Sequence, residues 1–243
     1  MRSNGVAEQY CTGDAPPFEK FKAWAATVPH TLRNPLYHWM HLELKRYFGI
    51  DELLNEHTAQ SVWDRANEQL ATQQLSTQGI LETFNVQLIG TTDDPTDELV
   101  SHQRIAMTAV PTRVIPTFQP DKALDVHQPD QWNFWVSDLE NISNLSIASL
   151  SDFLDALKAR HDFFHYRGSR MSDHGLERCV ARFTSDTEVA RIFEKARAGK
   201  AASEEEREKF ASHLMLCFGR WNAEKGWTMQ LHLGAPQQQL APF

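Results

Sequence analysis

A histidine at the end of a predicted strand is the first residue whose position suggests chemistry. His232 lies in the apolar run 227–233, which is followed by the turn residues Gly234 and Ala235. A neutral imidazole can bind a divalent metal or transfer a proton. In α/β barrels the chemistry takes place where the strands end, so we expect His232 to line a site. The competing interpretation is a structural histidine.

Polar clusters also follow the three other predicted strands. Neighbouring parallel strands end at the same edge of a sheet, so four such clusters predict one shared pocket. The competing interpretation is local, because an aspartate placed before Pro95 also fits simple turn chemistry. The clusters are 92–94, 119–122, 172–174 and His232.

Two pairs of histidines have the spacing of metal ligands on a helix. His38 and His41 are three residues apart, and His161 and His165 are four apart, so each pair shares a helix face. No third ligand lies nearby and the HExxH motif is absent, which favours structural histidines. The motifs GxGxxG, GxxxxGK[ST] and GxSxG are absent too, which removes the common nucleotide-binding and serine-hydrolase signatures.

Hydrophobic periodicity predicts the elements that must position these residues. Asn34 before Pro35 predicts a capped helix start, and Ser203 with Glu206 fits a capping box. The predicted helices are 17–28, 34–48, 58–73, 77–84, 97–107, 131–142, 150–166, 186–198 and 203–225. The predicted strands lie within 85–94, 112–118, 169–175 and 227–233.

This order of elements predicts an α/β fold. Residues 1–84 are helical, and residues 85–243 alternate strands and helices with polar loops after each strand. That alternation is typical of parallel βα units, which build either a barrel or an open doubly wound sheet. A barrel has eight strands and about four are visible, so a barrel would be a partial (β/α)8 barrel of the TIM type. We therefore divide the chain into a helical region, 1–84, and a partial barrel, 85–243.

Composition limits the partners. The 243 residues carry a net charge of −8, which argues against binding to nucleic acid or to an anionic membrane surface. A small anionic substrate remains compatible with a local basic pocket. Cys11, Cys179 and Cys217 are far apart and odd in number, which favours free thiols in a reducing compartment. The chain begins with a polar segment and has no run long enough to span a membrane, so we expect a cytoplasmic protein.

Nine short blocks of this sequence closely resemble uronate isomerase, also called glucuronate isomerase. They occur in the order of that family and cover nearly the whole chain. The blocks are MRSNGV at 1–6, NPLYHW at 34–39, HLELKRYFGI at 41–50, TTDDP at 91–95, PTF at 116–118, PDKA at 120–123, SDHG at 172–175, GW at 226–227 and MQLH at 229–232.

The resemblance implies a distorted (β/α)8 barrel of the amidohydrolase superfamily, in which the first 80 or so residues match an inserted helical region. The implied reaction is aldose–ketose isomerisation, of D-glucuronate to D-fructuronate and of D-galacturonate to D-tagaturonate. In the family a proton moves between C2 and C1 through an enediol beside a divalent metal, and zinc is the expected ion. The implied partner is therefore a small uronate substrate.

The resemblance also implies roles for four residues. Asp173 and His232 match active-site positions of the family, so we expect both to be catalytic, with His232 also a candidate metal ligand. Gln119 and Gln237 lie where the family has arginines that meet the anionic substrate, so we expect them to bind substrate. An amide keeps the hydrogen bonding but loses the charge and the two-pronged geometry of a guanidinium.

The family's remaining metal ligands are expected outside this chain. Its His-x-His pair would precede Met1, and its late Asp, followed by an Arg, would come after Phe243. The tail 236–243 departs abruptly from the family pattern, so we expect an internal fragment or truncated relative with an incomplete metal site. The alternative is a catalytically inactive barrel remnant, and a different amidohydrolase-like hydrolase has no supporting ligands. Exposed strand edges predict low stability or association with a second copy.

Overall fold

The computed structural model describes residues 1–234, in which nine α-helices and four β-strands occur in the predicted order. The helices are α1 (Pro17–Thr27), α2 (Pro35–Phe48), α3 (Ala59–Leu70), α4 (Thr77–Thr83), α5 (Val100–Ala106), α6 (Pro129–Ser143), α7 (Leu150–Tyr166), α8 (Asp186–Arg197) and α9 (Glu204–Lys225). The strands are β1 (Leu88–Asp93), β2 (Arg113–Phe118), β3 (Met171–Leu176) and β4 (Thr228–Leu233).

Side chains at the ends of the longer helices explain where these helices begin and stop. The Oδ1 atom of Asn34 accepts a hydrogen bond from the backbone N–H of Leu36 at 3.0 Å, and Gly49 ends α2 with a φ of 61°. Ser149 and Ser203 form capping boxes at the starts of α7 and α9. Each box satisfies backbone N–H groups that the first turn of a helix leaves unpaired.

The chain divides into two compact units, Met1–Val86 and Gln87–Phe243. The first unit contains α1 to α4 and has a small apolar core of its own. The division into domains 1–84 and 85–243 stays a prediction, because a compact unit is not by itself an independently folding domain. The buried residues of the first core are Ala25, Val28, Leu44, Ile50, Leu54, Ala59 and Val62.

The second unit is built around a parallel sheet with the strand order β1-β2-β3-β4. β1 pairs with β2, and β3 with β4, along all six residues of each strand. Between β2 and β3 the ladder joins one described pair, Phe118 with Ser172. Sequential parallel strands linked by helices are what repeated βα units produce.

Aromatic side chains fill the space between this sheet and the helices of the second unit. Phe118 at the end of β2 contacts Phe164 of α7 and Phe218 of α9, with ring centroids 5.2 and 6.2 Å apart. All three rings are buried. A second aromatic cluster ties the helices together, in which Trp132 of α6 contacts Phe153, Phe193 and Phe210.

β4 lies at an edge of the sheet and is largely exposed. Leu231 and Leu233 keep 45% and 51% of their surface accessible. Within residues 1–234, no strand pairs with the outer edge of β4. Such an edge presents unpaired backbone N–H and C=O groups to any other chain that approaches.

Two further properties of the described residues concern membrane-spanning helices and the state of the cysteines. Within residues 1–234, none of the helices is both long and apolar enough to cross a bilayer. The three cysteines, Cys11, Cys179 and Cys217, are free thiols. Burial raises the pKa of the Cys217 thiol above its usual value, which makes this thiol less nucleophilic.

Candidate active site

The two faces of β3 have different surroundings. Side chains along a strand point alternately to opposite faces. Ser172 and His174 face the helices, and the His174 ring stacks on Phe218 of α9 with centroids 5.7 Å apart. Asp173, in the middle of β3, lies between them and therefore points to the other face.

Asp173 and His232 meet on that face. Oδ1 of Asp173 lies 2.8 Å from Nδ1 of His232. The contact is diagonal, because the register places Asp173 level with Gln230 and Gly175 level with His232. The Asp173 side chain is 8% exposed and that of His232 is 47% exposed. A buried carboxylate thus orients an accessible imidazole, which is the arrangement of a general acid–base pair.

Gln230 is the third member of this group. Its Nε2 atom lies 3.3 Å from Asp173 Oδ1 and 3.3 Å from His232 Nε2. An imidazole that accepts a hydrogen bond at Nε2 carries its proton at Nδ1, directed here at Asp173. Gln230 was not among the predicted site residues. The signal that could have found it is the two-residue period, which puts residues 230 and 232 on the same face of the strand.

A cavity of about 400 Å³ lies beside the ends of β2 and β3. Asp94, Gln119, Asp121 and Lys122 line it together with the segment that begins at Gly175. The predicted clusters 92–94 and 119–122 therefore contribute to the same pocket. Asp173 and His232 are not among the described lining residues, and the expectation of one pocket for all four clusters stays a prediction.

The cavity carries more negative than positive groups. Six carboxyl side chains and three cationic side chains line it. Nζ of Lys122 lies 3.1 Å from Oδ2 of Asp94, and Arg178 contacts Glu208 at 2.6 Å. Burial raises the pKa of Asp125 above its usual range. A cavity of this charge does not by itself favour an anionic ligand.

The aspartates that follow β1 hold local structure. Oδ1 of Asp94 accepts hydrogen bonds from the backbone N–H of Thr96 and from Nε1 of Trp135, both at 2.9 Å. Oδ2 of Asp93 accepts from the backbone N–H of Thr117 at 3.1 Å. The contact of Asp94 with Thr96 supports the turn interpretation of Asp94, whereas the contact of Asp93 joins β1 to β2.

The paired helix histidines have structural partners. Nε2 of His41 accepts a hydrogen bond from the backbone N–H of Leu54 at 2.9 Å. His161 is fully buried, and its ring lies against Trp227 with centroids 4.1 Å apart. Nε1 of Trp227 donates to Nδ1 of His165 at 2.9 Å. The structural interpretation of these histidines is the one that the contacts support.

The residues that could contribute to a metal site do not complete one. Within residues 1–234, no group of three or more His, Cys, Asp or Glu side chains could hold a metal ion. A catalytic zinc site takes three protein ligands. Asp173 and His232 offer two donor groups, and these already contact each other. This part of the chain alone therefore does not fit the metal that the resemblance implies.

One of the two predicted substrate-binding glutamines, Gln119, lies within the described residues. Gln119 follows β2 directly, lines the cavity, and donates its backbone N–H to the carbonyl oxygen of Asp93 at 2.9 Å. Gln237 lies outside the described residues. The substrate-binding role of each stays a prediction.

Comparisons with known proteins agree on one family. A family model for glucuronate isomerase matches residues 1–241. The uronate isomerases of Solibacter usitatus and Opitutus terrae are 60% and 56% identical over 235 residues, which is 97% of this chain and 50% and 49% of theirs. The structure of uronate isomerase from Thermotoga maritima matches with a TM-score of 0.89 at 31% identity, covering 96% of this chain and 51% of that one.

A second structure, glucuronate isomerase from Caulobacter crescentus, supports the fold alone, with a TM-score of 0.87 at 22% identity over 98% of this chain and 51% of that one. The chain spans about half the length of the curated relatives it matches. The predicted fold class, α/β with part of a TIM-type barrel, is confirmed by the four parallel strands and by these structural matches. Because the family model matches nearly every residue, the chain belongs to the glucuronate isomerase family.

Proposed function

We propose that the protein takes part in aldose–ketose isomerisation of uronates in cytoplasmic hexuronate catabolism. The reactions are D-glucuronate to D-fructuronate and D-galacturonate to D-tagaturonate. The observation that carries the proposal is the contact between Asp173 in the middle of β3 and His232 near the carboxyl end of β4. Relatives at 60% and 56% identity are uronate isomerases, which supports the choice of reaction.

The pair suits the proton transfer between C2 and C1. With Nδ1–H directed at Asp173, Nε2 of His232 carries the lone pair, which accepts from Gln230 in the absence of substrate. When the substrate takes the place of Gln230 at Nε2, this lone pair removes the proton from C2, while the oxygen on C1 takes up a proton from water to give the enediol. The enediol then loses the proton of its C2 hydroxyl and gains a proton at C1, which gives the ketose. The Asp173 carboxylate stabilises the imidazolium that exists between these steps.

Substrate recognition is assigned to Gln119 and Gln237. An amide can donate to the carboxylate of a uronate and exchange hydrogen bonds with its hydroxyl groups. It brings no charge, so it should hold the carboxylate more weakly than an arginine would. The position of Gln119 directly after β2, at the end of the strand, supports its assignment, while the carboxylates of the cavity that it lines oppose an anionic ligand.

A divalent metal, with zinc as the expected ion, is part of what the family resemblance implies. The described residues offer two donor groups and no complete site. No step of the proposed proton transfer runs through a metal, and the acid–base pair alone is the subject of the test.

The test is isomerisation by the 243-residue chain, followed by NMR of the sugar with and without added Zn²⁺ or Mn²⁺. We expect D-glucuronate to be converted, and we expect Asp173→Asn or His232→Gln to lower kcat/KM by about 100-fold or more, the loss of general acid–base catalysis. The matched control is Asp186→Asn with His213→Gln. This second carboxylate–imidazole pair joins α8 and α9 at 3.7 Å and should keep its activity.

The second candidate function is that of a catalytically inactive barrel piece. The lack of a complete metal site within residues 1–234 favours it. A chain that unfolds cooperatively but converts neither uronate, with or without metal, would support it and overturn the proposed activity. Equal losses in the site variants and the control pair would show that the Asp173–His232 contact is not the cause.

We also expect the chain to associate through β4. Leu231 and Leu233 are exposed on an edge strand, which favours pairing with a second copy. Sedimentation velocity should show a mass above that of one chain that rises with protein concentration. Because each copy carries a net charge of −8, added salt should strengthen the association.

The variant for this prediction is Leu231→Lys with Leu233→Lys, which should return the protein to single chains. The control is Leu145→Lys with Leu216→Lys, two leucines outside β4 that are 41% and 43% exposed, one after α6 and the other on α9. A wild-type protein that sediments as one chain at every concentration would show that the β4 edge does not drive association.

A further inference from the structure

A second histidine–aspartate contact lies on the helix-covered face of the sheet, behind Asp173. His174 is fully buried, and its Nδ1 atom lies 3.4 Å from Oδ1 of Asp121. Within residues 1–234 neither atom has a hydrogen-bond partner, and the 3.4 Å contact between them is an ion-pair distance without hydrogen-bond geometry. Buried polar atoms are rarely left unpaired in folded proteins, so each is the natural partner of the other.

The other nitrogen of His174 begins a series of buried contacts. Nε2 of His174 lies 2.9 Å from Oγ of Ser172, and Nδ2 of Asn222 donates to the same Oγ at 2.7 Å. Oδ1 of Asn222 lies 3.0 Å from Nε2 of His161. Ser172 and His161 are fully buried and Asn222 is nearly so.

These contacts fix the direction of every hydrogen bond in the series. Oδ1 of Asn222 can only accept, so His161 carries its proton on Nε2. The carboxylate of Asp121 can only accept, which places the proton of His174 on Nδ1 and leaves Nε2 to accept the hydroxyl hydrogen of Ser172, whose Oγ accepts from Asn222. Hydrogen bonds aligned in one direction polarise and strengthen one another.

We propose that Asp121, His174, Ser172, Asn222 and His161 form one directed hydrogen-bond chain that holds β3 from behind and thereby positions Asp173. The inference rests on the proposed function in taking Asp173 as the residue whose position matters. The side chain of Asp173 leaves β3 between Ser172 and His174, and both of these residues belong to the hydrogen-bond chain. Asp121 also accepts the backbone N–H of Gly175 at 2.7 Å, which fixes the strand on the far side of Asp173.

An aspartate, a histidine and a serine in series also resemble a hydrolase triad, but the contacts exclude that role. Ser172 is fully buried, and its Oγ atom is already engaged by Asn222 and His174. A nucleophile must reach its substrate. Asp121 and His174 are therefore positioning residues that act through the backbone of β3.

The first measurement needs no variant. The protein is labelled with ¹⁵N, and long-range ¹H–¹⁵N correlation spectra report which ring nitrogen of each of the 11 histidines carries the proton. We expect one tautomer for each buried ring, with the proton on Nδ1 of His174 and on Nε2 of His161. His174→Gln and His161→Gln assign the two sets of signals.

The second measurement uses a variant in which the hydrogen-bond chain is interrupted at its carboxylate end. Asp121→Leu should remove the single tautomer of His174, shift the ring signals of His161 although the two side chains do not touch, and shift the Nδ1 signal of His232. The matched control is Asp125→Leu, which changes a carboxylate that lines the same cavity, pairs with His127 and interacts with Asp121 only through its charge. It should leave all three sets of signals in place.

Two results would overturn the inference: a proton on Nε2 of His174 in the unmodified protein, or unchanged His174 and His161 signals in Asp121→Leu. An Asp121→Leu variant that moves His174 and His161 but not His232 would show that the hydrogen-bond chain exists without positioning Asp173. These spectra do not depend on turnover. A failure of the isomerase assay can therefore be told apart from a failure of this inference.

Discussion

Replacing Phe118 with alanine should lower the free energy of unfolding by about 3–5 kcal/mol, the usual cost of removing a buried phenylalanine ring. Phe118 is fully buried and contacts the rings of His161, Phe164 and Phe218. It is also the β2 residue of the one described pair that joins β2 to β3. The substitution therefore leaves a cavity at the place where the two halves of the sheet meet.

Urea unfolding followed by tryptophan fluorescence and by circular dichroism measures this loss. The control is Phe134→Ala on α6, where the ring is 73% exposed, and its change should stay within about 0.5 kcal/mol. If Phe118→Ala and Phe134→Ala unfold at the same urea concentration, the ring of Phe118 does not hold the sheet together.

The positions of the helices could be predicted from the sequence because their signals are local. The range predicted for the seventh helix, 150–166, is that of α7, since Ser149 provides a capping box within its own first turn. The helix predicted at 97–107 is shorter, and α5 begins at Val100. Leu99 has a φ of 58°, and Oδ2 of Asp97 accepts a hydrogen bond from the backbone N–H of Asp94. Residues 97–99 therefore belong to a turn that precedes the helix.

The composition of the site could be predicted, but its contacts could not. The two-residue period of a strand tells which side chains share a face, yet it does not say which residue of the next strand lies beside them. The diagonal contact of Asp173 with His232 depends on the β3–β4 register. The contact of Asp121 with His174 depends on how a loop after β2 folds back over β3. Neither is a property of local sequence.

Replacing His161 with glutamine should greatly reduce the fall in the free energy of unfolding between pH 7 and pH 4. Burial lowers the pKa of His161 from 6.5 to about 4, and Lys225 and Lys158 act in the same direction, while the hydrogen bond to Asn222 and the charge of Asp162 oppose them. The unfolded chain takes up this proton below pH 6.5, but the folded chain does so only near pH 4. Protons therefore favour the unfolded state between these values.

The contribution of His161 is fully present above pH 6.5 and is lost as the pH falls to about 4. Its size is about 3 kcal/mol, since each pKa unit corresponds to about 1.4 kcal/mol. Other groups titrate in the same window: burial also lowers the pKa of His213 and raises that of Asp97 and Asp125, with opposite effects on acid stability. The comparison must therefore be between wild type and His161→Gln, in which these groups are unchanged.

Urea unfolding of both proteins at pH 7, 6, 5 and 4 gives the two stability profiles. Glutamine can still donate to Oδ1 of Asn222, so the hydrogen bond that His161 makes there has a replacement. We expect wild type to lose about 3 kcal/mol more than His161→Gln between pH 7 and pH 4, whatever the difference at pH 7. Parallel profiles would mean that His161 takes up its proton in the folded chain as readily as in the unfolded one, which its burial against Trp227 and Phe118 opposes.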